Sequence, residues 1–113
     1  PMGAPFERFS CHYYDDQEEK AYSRLFGAGE ALEKAKGGML FLDNVEYLPV
    51  GCREHLLDLI ENDDAVLRDI ILVCSLQDKA RASVKDAYTD RFAAAAKLAA
   101  GGAFCAGAAV PDQ

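Results

Sequence analysis

Apolar and polar positions alternate along this chain in blocks whose periods differ, and those periods predict its elements. Residues 39 to 43, "MLFLD", are continuously apolar up to a terminal acid. A half-exposed strand alternates, so this run predicts a strand covered on both faces. "DIILVCS", residues 69 to 75, predicts a second buried strand. Between them "LPVGCREHLLDLIEND" places Cys52, Leu56, Leu59 and Ile60 on one face of a helix and Arg53, Glu54, Asp58 and Glu61 on the other. Upstream, "PFERFSCHYY" (5 to 14) predicts a helix opened by Pro5, with Glu7 near its positive end and Phe6, Phe9, Cys11 and Tyr13 on its buried side. After the acidic break "DDQEEK", the stretch "AYSRLFG" (21 to 27) alternates as a short strand does. Gly27 to Gly29 then lead into "EALEKAK", a two-turn helix stopped by Gly37-Gly38. "QDKARASVKDAYTDRFAAAAKLAA" is strong helix material, bent or divided near Thr89 and Asp90 and closed by Gly101-Gly102. Helices and strands in alternation predict an α/β layer structure of parallel strands joined by right-handed crossovers.

Composition narrows the function. At 113 residues the chain accommodates a single small domain. Half of the residues are apolar, which suits a folded globular chain. The formal charge of -7, from 19 acids against 12 bases with no basic cluster, argues against nucleic-acid contact by this domain. The Ala-rich segment from Arg91 to Val110 is interrupted by Lys97 and Gly101-Gly102, so no membrane span is expected. No secretory signal is read at Pro1-Met2-Gly3, and a cytoplasmic protein is expected. Cys11, Cys52, Cys74 and Cys105 lack a CxxC pair and read as small buried hydrophobes. Cys11 and His12 with Cys52 and His55 offer zinc-type ligands. The side chains of adjacent residues diverge, however, so no metal is expected there.

The acid ending "MLFLD" stands where open parallel sheets bind ligands, outside the carboxyl ends of the strands. The stretch "EKAKGGMLFLDNVEYLPVGCREHLLDLIE" resembles the AAA+ domain of bacterial sigma-54-dependent transcription activators. It has the same order of a helix, Gly37-Gly38, the strand Met39 to Asp43, Leu48-Pro49 and a helix with paired Leu56-Leu57. "IILVCSLQD" is similar to the family's sensor I strand, with Ser75 and Leu76 at the places of its Thr-Asn pair. "VKDAYTDRF" resembles the segment carrying arginine fingers, with Lys85 and Arg91 at the two basic positions. The resemblance covers roughly residues 28 to 92. It implies a reduced AAA+ domain over residues 1 to 113, taken as a piece of a longer protein. The implied fold is a three-layer, P-loop NTPase-like core with a short parallel sheet flanked by helices.

By the same resemblance Asp43 is the Walker B acid that holds magnesium, and Asn44 replaces the second acid, which polarises the attacking water. An amide cannot accept that proton at neutral pH. A degenerate phosphate loop can be laid on Gly3, Ala4, Pro5 and Phe6. There Pro5 removes a backbone donor and Phe6 replaces the lysine. A rival alignment makes "APFERFSC" the strand that follows the Walker A helix, with the loop outside these residues. The Gly-Ala-Phe-Thr-Gly-Ala loop that touches sigma-54 is absent from "LFGAGEALEKA". The resemblance thus implies a regulatory or protein-interaction module in transcriptional control, with sigma-54 RNA polymerase or a related regulator as its protein partner. ATP hydrolysis and a cofactor are not expected, nor is any ring larger than a monomer or small homo-oligomer. The alternative is a functional ATP-binding domain, sigma-54 activator or activase-like, whose phosphate loop lies upstream and which takes Mg-ATP. A receiver-like signalling domain fits less well, because its paired acids and late lysine are missing.

Overall fold

In the computed structural model, residues 3–62, 64–75 and 104–105 are described. Four parallel strands form one sheet in the order β1-β2-β3-β4: β1 (Phe6–Ser10), β2 (Met39–Asp43), β3 (Ile71–Cys74) and β4 (Phe104–Cys105). Helices α1 (Glu18–Phe26), α2 (Ala31–Lys34) and α3 (Val50–Glu61) flank it, and the domain is α/β as its pattern predicts. The expected strands at "MLFLD" and "IILVCS" are adjacent and parallel, with Leu40 beside Leu72 and Leu42 beside Cys74. Those four side chains are buried and form the centre of the core, but the expected cover on both faces is not found: Met39, Phe41 and Val73 on the other face are half-buried and Ile71 is exposed.

Two elements differ in type from their expectation. Residues 6 to 10 form a strand and not a helix. Period two decides it, with Phe9 and Cys11 buried on one side while Phe6 and Arg8 are exposed on the other. Five registered pairs join β1 to β2, from Phe6 beside Met39 to Ser10 beside Asp43. The Met39 N–H also donates to the Pro5 carbonyl at 3.0 Å. Gly38 makes that approach possible, because a Cβ there would collide with the Pro5 carbonyl. Only a 3-10 turn, Cys11–Tyr14, remains of the expected helix.

Residues 21 to 26, expected as a strand, belong to α1. Ala21 and Leu25, four apart, are its buried pair. Two of the acids that read as a break, Glu18 and Glu19, lie in its first turn and meet the positive helix end, and Arg24 lies in its last turn. α2 is one turn long, shorter than expected, and Gly37 follows it at φ 85°, a left-handed conformation natural to glycine.

α3 lies where its periodicity predicts, with a broader buried face. Cys52, Leu56 and Ile60 point inward with Leu57 and Arg53, whereas Leu59, expected inside, is half-buried. Arg53, assigned to the polar side, is 3% exposed. α3 also packs on α1. The Gly51 N–H donates to the Glu18 carboxylate at 2.9 Å, and the Cys52 thiol points to the Glu18 carbonyl at 3.7 Å. β4, a two-residue strand beside Val73 and Cys74, has no counterpart in the sequence pattern. The expected helix over 77 to 100 lies outside the described residues. Among the described residues no helix is long and apolar enough to cross a membrane.

Candidate functional site

Because β1, β2 and β3 run parallel, their carboxyl ends share one edge, and the chemistry gathers there. Asp43 closes β2 with 9% of its surface exposed. Its Oδ2 accepts a hydrogen bond and ion pair from the Arg8 guanidinium, and its Oδ1 accepts from the Ser75 hydroxyl at 2.7 Å. The register sets this up. Arg8 stands beside Phe41, with its guanidinium carbon 5.9 Å from the ring centroid, and it reaches two residues along the strand to Asp43.

Ser75 is tied on every side. Its N–H donates to the Leu42 carbonyl at 2.9 Å, and its carbonyl accepts from the Val45 N–H at 2.9 Å. Its hydroxyl oxygen accepts from the Asn44 N–H at 2.9 Å while donating to Asp43. Asn44 adopts φ 56°, ψ 58°, a left-handed conformation that asparagine tolerates better than most residues. The amide at this place therefore suits the turn as well as lacking a basic carboxylate.

Burial pushes the Asp43 pKa up, but the hydrogen bonds from Arg8 and Ser75 and the charges of Arg8 and His12 outweigh it. The carboxyl is held below its ordinary range. A divalent ion at Asp43 would have to compete with these partners. Both oxygens are engaged, and among the described residues no group of three or more His, Cys, Asp or Glu is arranged to hold a metal.

The residues read as a phosphate loop are elsewhere. Gly3, Ala4, Pro5 and Phe6 enter β1 at the opposite edge of the sheet, where Phe6 pairs with Met39. Phe6 is 60% exposed. A phosphate loop must open a helix at the carboxyl edge so that its N–H groups point at the anion, and this segment opens a strand. The strand required by the rival alignment is the element found. Asp43, Asn44 and Ser75 are brought together, whereas Leu76, Lys85 and Arg91 lie outside the described residues.

The two histidines of the zinc-type set pack in different surroundings. His12 stacks on Tyr13 and meets Tyr47 edge-on, while His55 packs against Tyr22 and Phe26. Cys11, Cys52 and Cys74 are buried, as small hydrophobes are. Burial, then Glu46, Asp43 and Cys52, drive the Cys11 pKa upward, and burial with Glu18 pushes Cys52 to about 11. Both are inert thiols at neutral pH.

A cleft of about 310 Å³ opens nearby, with Asp15, Asp16 and Glu18 facing Tyr47, Pro49 and Arg53. Three carboxylates against one guanidinium repel a polyphosphate, and Asp43 does not line it. Arg8 is the site residue that sequence reasoning missed. Its signal was a lone cation at an alternating position of a strand whose periodicity read as helical.

The fold is a parallel α/β domain of P-loop NTPase-like type, with an acid at the carboxyl end of its second strand. A family model of the sigma-54 interaction domain matches residues 4–68, more than half of the chain, and the chain belongs to that family. Searches of curated proteins and of solved structures found no match.

Proposed function

We propose that this domain is a sigma-54 activator-type AAA+ module that acts by protein contact in bacterial transcriptional control and does not hydrolyse ATP. The observation that carries the reading is Asn44, directly after the strand-end acid, where hydrolysis requires a group able to take a proton from water. The connection from α1 to β2 supports it. Gly27 to Gly38 carry the single turn of α2, with no aromatic loop of the kind that engages sigma-54. The partner this reading favours is sigma-54 RNA polymerase or a related regulator, met in the cytoplasm through a surface other than that loop. The test is phosphate release by the purified chain with Mg-ATP. The expected result equals a protein-free blank at high protein concentration. Magnesium-dependent turnover that disappears in Asp43→Ala overturns the proposal.

A second reading is favoured by the strand at Phe6–Ser10. With residues 3 to 6 opening a strand, ATP binding needs a phosphate loop encoded before Pro1, as in sigma-54 activator or activase-like domains. Nucleotide binding by the product of the complete reading frame, retained or lost on replacing an upstream loop lysine, decides it.

A further inference from the structure

We propose that Arg8 is a built-in counter-ion that takes the cation position at the strand-end acid, so that Asp43 is compensated by the chain itself and accepts no divalent metal. Three observations carry this. Both carboxylate oxygens are used, Oδ2 by the Arg8 guanidinium and Oδ1 by the Ser75 hydroxyl. Asp43 is buried, which leaves little of its surface for ligands that approach from water. The guanidinium is carried to the acid by the β1–β2 register and by its position over the Phe41 ring, with the Arg8 side chain itself 60% exposed.

A hard divalent cation binds carboxylate oxygen at roughly 2.0–2.6 Å and needs several further oxygen ligands. At Asp43 it would have to expel Arg8 from Oδ2 and would then face a like charge. Ser75 cannot compensate, because its hydroxyl proton is already given to Oδ1 and its oxygen already accepts from Asn44. Arg8 therefore converts a metal-type position into an ion pair within the chain. The inference concerns what Asp43 binds and is separable from hydrolysis. Metal at Asp43 without phosphate release overturns this proposal alone, and phosphate release without metal at Asp43 overturns the proposed function alone.

The test is paramagnetic broadening of amide resonances by Mn²⁺ in the ¹⁵N-labelled chain. In the wild type, the Asn44, Val45 and Ser75 amides are expected to broaden no more than those of exposed acids elsewhere. Arg8→Met keeps the apolar stem over Phe41 and removes the charge. It should gain selective broadening at these three amides, with apparent Mn²⁺ affinity up by roughly tenfold, the scale of one charge interaction near a protein surface. The gain should vanish in Arg8→Met/Asp43→Asn. Arg8→Gln, which retains a hydrogen-bond donor but no charge, serves the same purpose if the Met variant fails to fold. Selective broadening in the wild type, or a folded Arg8→Met or Arg8→Gln variant with none, overturns the proposal.

Discussion

Asp43 keeps its charge further into acid than an ordinary carboxylate, and that difference makes stability depend on pH in a defined direction. Its pKa is lowered in the folded chain, because the hydrogen bonds and charge of Arg8, the Ser75 hydroxyl and the His12 charge together overcome burial. In an unfolded chain it returns to about 3.9. A group held lower when folded contributes fully above its unfolded pKa and loses that contribution as pH falls through its folded value. Asp43→Asn is thus expected to be less stable than the wild type at neutral pH, with the gap closing below about pH 4. Urea midpoints of both proteins from neutral pH to pH 2 check this, and a gap that stays constant into acid contradicts it. Asp43 and Asn44 were legible in the sequence because a continuous apolar run ending on an acid shows in the pattern itself. Ser75 was legible by resemblance. Arg8 was not, since its partner lies 35 residues away and only the register of two strands joins them.

Elements were legible where a continuous apolar run leaves no competing period, although only one face of β2 and β3 is fully buried. "MLFLD" and "IILVCS" have no polar interruption, and α3 carries Cys52, Leu56 and Ile60 at helical spacing. Residues 5 to 14 and 21 to 27 were misread because each is short and holds apolar residues at both spacings. Phe6, Phe9 and Tyr13 fit a helix, yet Phe6 and Tyr13 are exposed and the sheet uses Phe9 and Cys11 instead. In "AYSRLFG" the apparent alternation hides Ala21 and Leu25, the pair that packs inward. Tertiary pairing decided both, β1 by its five pairs with β2 and α1 by packing against α3. The central pair of strands should accordingly be the least tolerant part of the domain. Leu40→Asp or Leu72→Asp places an unpaired carboxylate in the core, costing on the order of several kcal/mol, comparable to the whole stability of a small domain. Soluble expression of either variant is expected to fail. Ile71→Asp, on the exposed side of β3, should remain soluble, and equal behaviour of all three would contradict the assigned faces.

Across the whole molecule, the charge of -7 and the engaged state of Asp43 bear on assembly. In the family that this chain joins, arginine fingers reach over a subunit boundary to a nucleotide phosphate, and the resemblance gives those places to Lys85 and Arg91. If Arg8 compensates Asp43 from within, a magnesium-bound phosphate has no anchor on the sheet edge, and the fingers lose the group that makes ring formation depend on nucleotide. Exposed basic side chains then form at most local ion pairs of roughly 0 to 1 kcal/mol, and like net charges repel between copies. The chain is expected to be a monomer or small dimer whose mass ignores added nucleotide. Multi-angle light scattering with and without magnesium and a non-hydrolysable ATP analogue measures this directly. A shift to a hexamer on adding the analogue, reversed by Arg91→Ala, would show a finger still meeting a phosphate. The same shift in Arg8→Met but not in the wild type would instead trace the missing assembly to the ion pair at Asp43, joining the residue and the whole molecule through one guanidinium.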